Sequence, residues 1–157
     1  MENNHQMLKK FDLIKIVLQS IFVGIIWGII VSIGQMFLPD TLEYLANSNC
    51  FFVLIPFVAS TKSRSIKIAV LTCTLCLLSS VFAYYVWECF FVTGYIPFDK
   101  LSILMAIGGG PVFGASAFWS RQEKTFSCLR SVGNTIIPAT FLAEALYQCL
   151  NYKDYLW

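Results

Sequence analysis

Five stretches of this chain lack charge over a length that can cross a bilayer. Between Lys15 and Asp40 no charge occurs for 24 residues; Glu43 to Lys62 encloses 18, Lys67 to Glu88 encloses 20, and Lys100 to Arg121 encloses 20. Arg130 to Lys153 encloses 22, interrupted once by Glu144. A helix rising ~1.5 Å per residue needs about 20 apolar residues to span roughly 30 Å of hydrocarbon. The expected fold is therefore all-α, a transmembrane helical bundle with five membrane-spanning helices over about 12–38, 43–60, 64–92, 100–120 and 131–150. A polar tail, 1–11, precedes this single domain, 12–150, and a short tail, 151–157, follows it. Residues are 57% hydrophobic and only 13% charged, half the ~25% of an ordinary soluble domain.

The placement of charge supports the count of five. Lys9, Lys10 and Lys15 precede or open the first stretch, Lys62, Arg64 and Lys67 lie between the second and third, and Arg121, Lys124 and Arg130 lie between the fourth and fifth. These are 9 of the 11 basic residues, all in alternate loops. The positive-inside rule then places the N-terminus in the cytoplasm and the C-terminus outside. The first apolar run exceeds the 7–15 residues of a signal peptide and no small-x-small cleavage site follows it, so it reads as an uncleaved anchor. The second stretch is the least regular: Ala46-Asn47-Ser48-Asn49 opens it and Pro56 interrupts it, which leaves a tilted or re-entrant segment as an alternative.

Few polar residues lie inside these stretches, and they carry the functional expectation. Glu144 is ionisable within the fifth, where a charge is expensive and faces the bundle interior or a watery cavity. It reads either as a glutamate tying two helices together or as a solute- or proton-binding group. Gly108-Gly109-Gly110-Pro111 is poor helix interior. A helix broken there and restarting at Pro111 would aim free N–H groups outward, toward the Glu144 carboxylate or an anionic ligand group. The competing reading is close packing, with Gly110 and Gly114 forming a small-xxx-small face like Gly24 and Gly28 in the first stretch. Gln35, Asn47, Asn49, Tyr84, Tyr85 and Glu88 fall toward the same outer half. The tyrosines also fit an interfacial aromatic belt with Trp87, Phe90 and Phe91. The candidate ligand-binding set is Glu144, Gln35, Asn47, Tyr84, Tyr85, Glu88, Gly108, Gly109, Gly110 and Pro111, and two carboxylates favour a cationic or hydroxyl-rich solute. Gly24, Gly28, Gly110 and Gly114 are the candidate helix-packing residues.

Catalytic and metal chemistry are not indicated. The single histidine, His5, lies in the N-terminal tail, so no serine or cysteine has an evident base. Cys73-x-x-Cys76 lacks further ligands and reads as packing. Cys50, Cys89 and Cys149 fall near the outer face, where three sites give no unique pairing. The glycine run lacks the spacing of a nucleotide fingerprint, and the basic loops are too short for a nucleic-acid surface. No cofactor is expected.

Several short motifs occur in order along the chain: Gly34-Gln35 with Leu38-Pro39, Leu45-Ala46-Asn47-Ser48, Ala83-Tyr84-Tyr85, Gly110-Pro111-Val112-Phe113-Gly114, Trp119 with Arg121, and Leu142-Ala143-Glu144. Together they make the chain resemble an uncharacterised family of small bacterial multi-pass membrane proteins, a domain of unknown function. The resemblance implies an integral membrane protein with no assigned activity and supplies no catalytic residue. It directs interest to Gln35, Asn47, Tyr84, Gly110, Pro111 and Glu144. The leading expectation is a non-enzymatic, multi-pass protein of the lipid bilayer that binds or helps move a small solute through an outward-facing polar pocket. The alternative is a helix-docking subunit or immunity-type protein that presents its glycine faces to a membrane partner or a second copy.

Overall fold

A computed structural model describes residues 2–39, 48–95, 100–122 and 126–151, with side chains from residue 12 onward except at 101, 148 and 151. The described residues form five helices: α1 (Glu2–Phe37), α2 (Asn49–Ser60), α3 (Ile66–Glu88), α4 (Lys100–Arg121) and α5 (Ser127–Asn151). A π-turn, Cys89–Thr93, extends α3. It closes where the Gly94 N–H donates to the Cys89 carbonyl at 3.1 Å, and Gly94 takes φ 72°, a left-handed conformation that glycine adopts without steric penalty.

Three helices are long and apolar enough to cross a membrane, over Asp12–Phe37, Ile66–Thr93 and Ser102–Arg121. Of the five expected spans, three meet these criteria among the described residues, and the helices in the second and fifth do not. The 12 residues of α2 rise only about 18 Å. The 25 residues of α5 are long enough, but Arg130, Asn134, Thr135, Thr140 and Glu144 dilute its apolarity. At the other end, α1 begins at Glu2, inside the segment expected to be a separate polar tail. Gln6-Met7-Leu8-Lys9-Lys10 are good helix formers, and an acidic residue at the start complements the helix dipole.

The arrangement is set by small residues on α3, which lies between α1 and α4. A Cβ built on Gly24 would meet the Cys76 carbonyl and the Ser79 hydroxyl, and one on Gly28 would meet the Ser80 carbonyl. On the opposite side of α3, a Cβ on Gly110 would meet Thr74, and one on Gly114 would lie 2.7 Å from the Val70 Cα. Both small-xxx-small pairs thus pack against α3 of the same chain. Farther out, α5 packs on α4 where Gly133 faces Ser116 and Ser120. The short α2 touches all four other helices. Trp27 of α1 ties to it by donating to the Phe51 carbonyl at 3.2 Å, with ring centroids 5.0 Å apart.

Inside and outside are reversed relative to a water-soluble bundle. Most fully buried positions are small: Ser32, Ser60, Ser80, Ser116, Cys73, Cys76, Ala69 and Ala117, with Val31 and Pro56 the larger exceptions. Several of their hydroxyls bond back to the same helix, such as Ser60 to the Pro56 carbonyl at 2.7 Å and Ser80 to the Leu77 carbonyl at 2.8 Å. The large apolar side chains point outward: Phe22 is 63% exposed, Phe82 59% and Leu104 65%. Small interior residues with close helix approach and a large apolar exterior are the packing of helices in lipid.

The glycine run does not break its helix. α4 continues from Lys100 to Arg121 with Pro111 inside it. Pro111 is exposed and lacks a backbone donor, a loss that membrane helices tolerate. All six cysteines are free thiols, with Cys73 and Cys76 fully buried.

Candidate functional site

The ends of α1 and α3, the starts of α2 and α4 and the late part of α5 meet at one end of the bundle, and most of the expected polar residues meet there. The Tyr84 hydroxyl lies 2.7 Å from Gln35 Oε1 and 2.8 Å from Glu88 Oε1. A phenol has one proton to give, and the carboxylate is the stronger acceptor. Turning the Gln35 amide by 180°, which its two ends allow, lets its NH2 donate to Tyr84 while Tyr84 donates to Glu88. The chain of three spans α1 and α3. Glu88 stands one turn beyond Tyr84 on the same face, which is why the pair can meet.

Glu144 is held elsewhere in this end region. Its Oε1 accepts the Asn49 N–H at 3.0 Å and its Oε2 the Cys50 N–H at 3.1 Å. The next N–H, of Phe51, donates to the Ser48 hydroxyl at 3.1 Å. One carboxylate and one serine therefore satisfy the first three donors of α2, where the helix dipole favours negative charge. Of the two readings of Glu144, this contact is the one that ties two helices together, and the helix N-terminus it meets is that of α2, not a restarted α4.

Beside this cluster lies a cavity of about 460 Å³ between α2, α3 and α4, reached from α5 by Thr140. Its polar lining comes from Asn49, Tyr84, Glu88, Ser102 and Thr140, and its apolar lining includes Phe52, Val53, Leu77, Val81, Met105, Ala106 and Phe113. A mostly apolar cavity of this size with a few polar groups grouped in it is what small-molecule sites look like.

Of the expected site residues, Tyr84, Tyr85, Glu88 and Gly109 line the cavity. Gln35 joins through Tyr84. Tyr85 is only 7% exposed, so it and Tyr84 turn inward instead of forming a belt, and Phe90 and Phe91 alone of that set lie fully on the outside. Gly108 and Pro111 are exposed on the opposite side of α4, and Gly110 is buried against Thr74. Asn47 lies outside the described residues. The apolar lining was not anticipated, yet its signal is in the spacing. Leu77, Val81, Tyr84 and Glu88 recur every three or four residues on α3, as do Ser102, Ala106, Gly109 and Phe113 on α4, with Met105 beside them, each stripe carrying a polar residue toward the same end.

Residues 8–157 match the model of a family of unknown function, DUF6518. No curated protein and no solved structure matches the chain.

Proposed function

We propose that this chain, which belongs to the DUF6518 family of unknown function, is a non-enzymatic membrane protein that binds or helps move a small solute held in the cavity between α2, α3 and α4. It crosses a bacterial plasma membrane five times with its N-terminus inside and the cavity toward the outer face. The observation that carries the solute reading is the cavity itself, about 460 Å³ with Glu88 and Tyr84 among five polar residues in a mostly apolar lining. The topology is supported by the alternation of basic loops, which needs α2 and α5 to cross along with the three long apolar helices. Docking of a partner helix or a second copy stands behind this reading, since α3 already covers the four packing glycines.

Two exposed thiols test the topology. Cys128 opens α5 and Cys149 lies near its end. In intact cells a membrane-impermeant maleimide is expected to label Cys149 at once and Cys128 only after permeabilisation. Labelling of both from the same side would remove the fifth crossing.

The cavity is tested by filling it. Ala106 lines it and is 3% exposed. In nanodiscs, equilibrium dialysis against phenyltrimethylammonium and its neutral isostere tert-butylbenzene is expected to show binding of at least one to the wild type. Ala106→Trp, with an unchanged thermal midpoint, is expected to lose it. Equal binding to both proteins, or to empty nanodiscs, would rule out the cavity as a site.

A further inference from the structure

We infer that the cavity is selective for a small organic cation, a protonated or quaternary amine with an apolar body, held in an aromatic box closed by the Glu88 carboxylate. This deepens the solute reading and rests on it. Of the four aromatic rings that line the cavity with Glu88, three form one connected group: Phe52 from α2, and Tyr84 and Tyr85 from α3. Phe52 and Tyr84 meet edge to face, with centroids 5.4 Å apart at 83°, and Tyr84 and Tyr85 lie 5.4 Å apart at 69°. Rings set near right angles form walls and do not stack flat on one another. A ring face left open to the cavity attracts a cation, and that attraction strengthens when water is excluded.

The charge balance of the site points the same way. Among the described residues no lysine or arginine pairs with Glu88; its partner is the Tyr84 hydroxyl at 2.8 Å. A hydrogen bond from a phenol supports a carboxylate without cancelling its charge. An anion entering this space would meet that charge and the ring faces together. A neutral polyol could bond the polar groups, but it would leave the carboxylate's charge uncompensated and would have no apolar body for the larger, apolar part of the lining. An ammonium head satisfies the carboxylate, and its apolar body fits between Leu77 and Met105.

The two probes of the dialysis experiment differ in charge and hardly in shape, so they separate this inference from the existence of the cavity. The wild type is expected to bind phenyltrimethylammonium at least about tenfold more tightly than Glu88→Gln does, while tert-butylbenzene is unaffected by that substitution. Phe52→Leu is expected to weaken the cation several-fold. Tyr84→Phe, which keeps the ring and frees the carboxylate from its phenol, is expected to retain it, whereas Tyr84→Leu loses it. Thermal midpoints near the wild type's certify that the variants are folded. If Ala106→Trp blocks both probes but Glu88→Gln leaves the cation's affinity unchanged, the cavity stands and the cation preference falls. If tert-butylbenzene binds the wild type as tightly as the cation does, the inference falls equally. Should neither probe bind the wild type, both readings fall together.

Discussion

Gly28→Leu is expected to separate α1 from α3 and leave little folded protein. The Cβ alone would overlap the Ser80 carbonyl oxygen and stand 3.0 Å from the Ser80 Cα. Those are backbone atoms in the middle of a helix, and Ser80 is fully buried, so no side chain can swing away to make room. Overpacking a core costs about 1–3 kcal/mol where side chains can adjust, and a clash with backbone should exceed that range. Native stabilities of roughly 5–15 kcal/mol leave little margin for such a loss. Gly108→Leu is the internal comparison. Nothing lies within 4 Å of a Cβ built there, and replacing a mid-helix glycine gains up to about 1 kcal/mol in helix propensity. Thermal unfolding in detergent, followed by size-exclusion chromatography, should show a collapse of the monomer peak for Gly28→Leu and a midpoint equal to or above the wild type's for Gly108→Leu. Two variants that behave alike would mean that α1 does not sit on α3 through this face.

Glu144→Ala is expected to loosen α2. It deprives the Asn49 and Cys50 N–H groups of an acceptor held at 3.0 and 3.1 Å. Hydrogen bonds to a charged group contribute about 1.5–3 kcal/mol each, and because this pair is partly exposed we expect about 2–3 kcal/mol in total. Glu144→Asp should resemble the alanine variant, since the shorter side chain cannot reach both donors. Cys50 provides a local readout. It is 2% exposed, so maleimide labels it only when the start of α2 opens. With Cys89, Cys128 and Cys149 replaced by serine, the rate of Cys50 labelling should rise at least about tenfold in Glu144→Ala, the change that a loss of 1.4 kcal/mol in closing free energy would already produce. An unchanged rate and midpoint would show that the carboxylate does not hold the helix. Since Asn49 and Phe52 both line the cavity from α2, loosening this helix should also weaken binding of the aromatic cation.

These two predictions rest on different kinds of information. That Gly24/Gly28 and Gly110/Gly114 admit a close neighbour can be read from spacing alone, because residues four apart share one helix face. The identity of the neighbour cannot, and the sequence is equally compatible with a partner chain. Glu144 shows the same limit. Its expense in lipid marks it as a residue that must find donors, but its donors lie 95 and 94 positions away along the chain. Proline and glycine are ambiguous for a related reason: locally they signal weak helix, and across an interface they admit a close neighbour, and in α4 the helix is continuous with Gly110 and Gly114 packed on α3.

The long apolar helices were determined by the sequence itself. Charge-free length, helix propensity and capping residues such as Ser65 act within a few positions of one another, so the cores of α1, α3 and α4 follow from reading along the chain. The cavity, the Tyr84–Glu88–Gln35 chain and the Glu144 clamp were decided only by tertiary structure. Each depends on how far every helix is rotated about its axis and how closely it approaches α3, and that is set by which small side chains meet across the interface, a pairing with no local trace in the sequence.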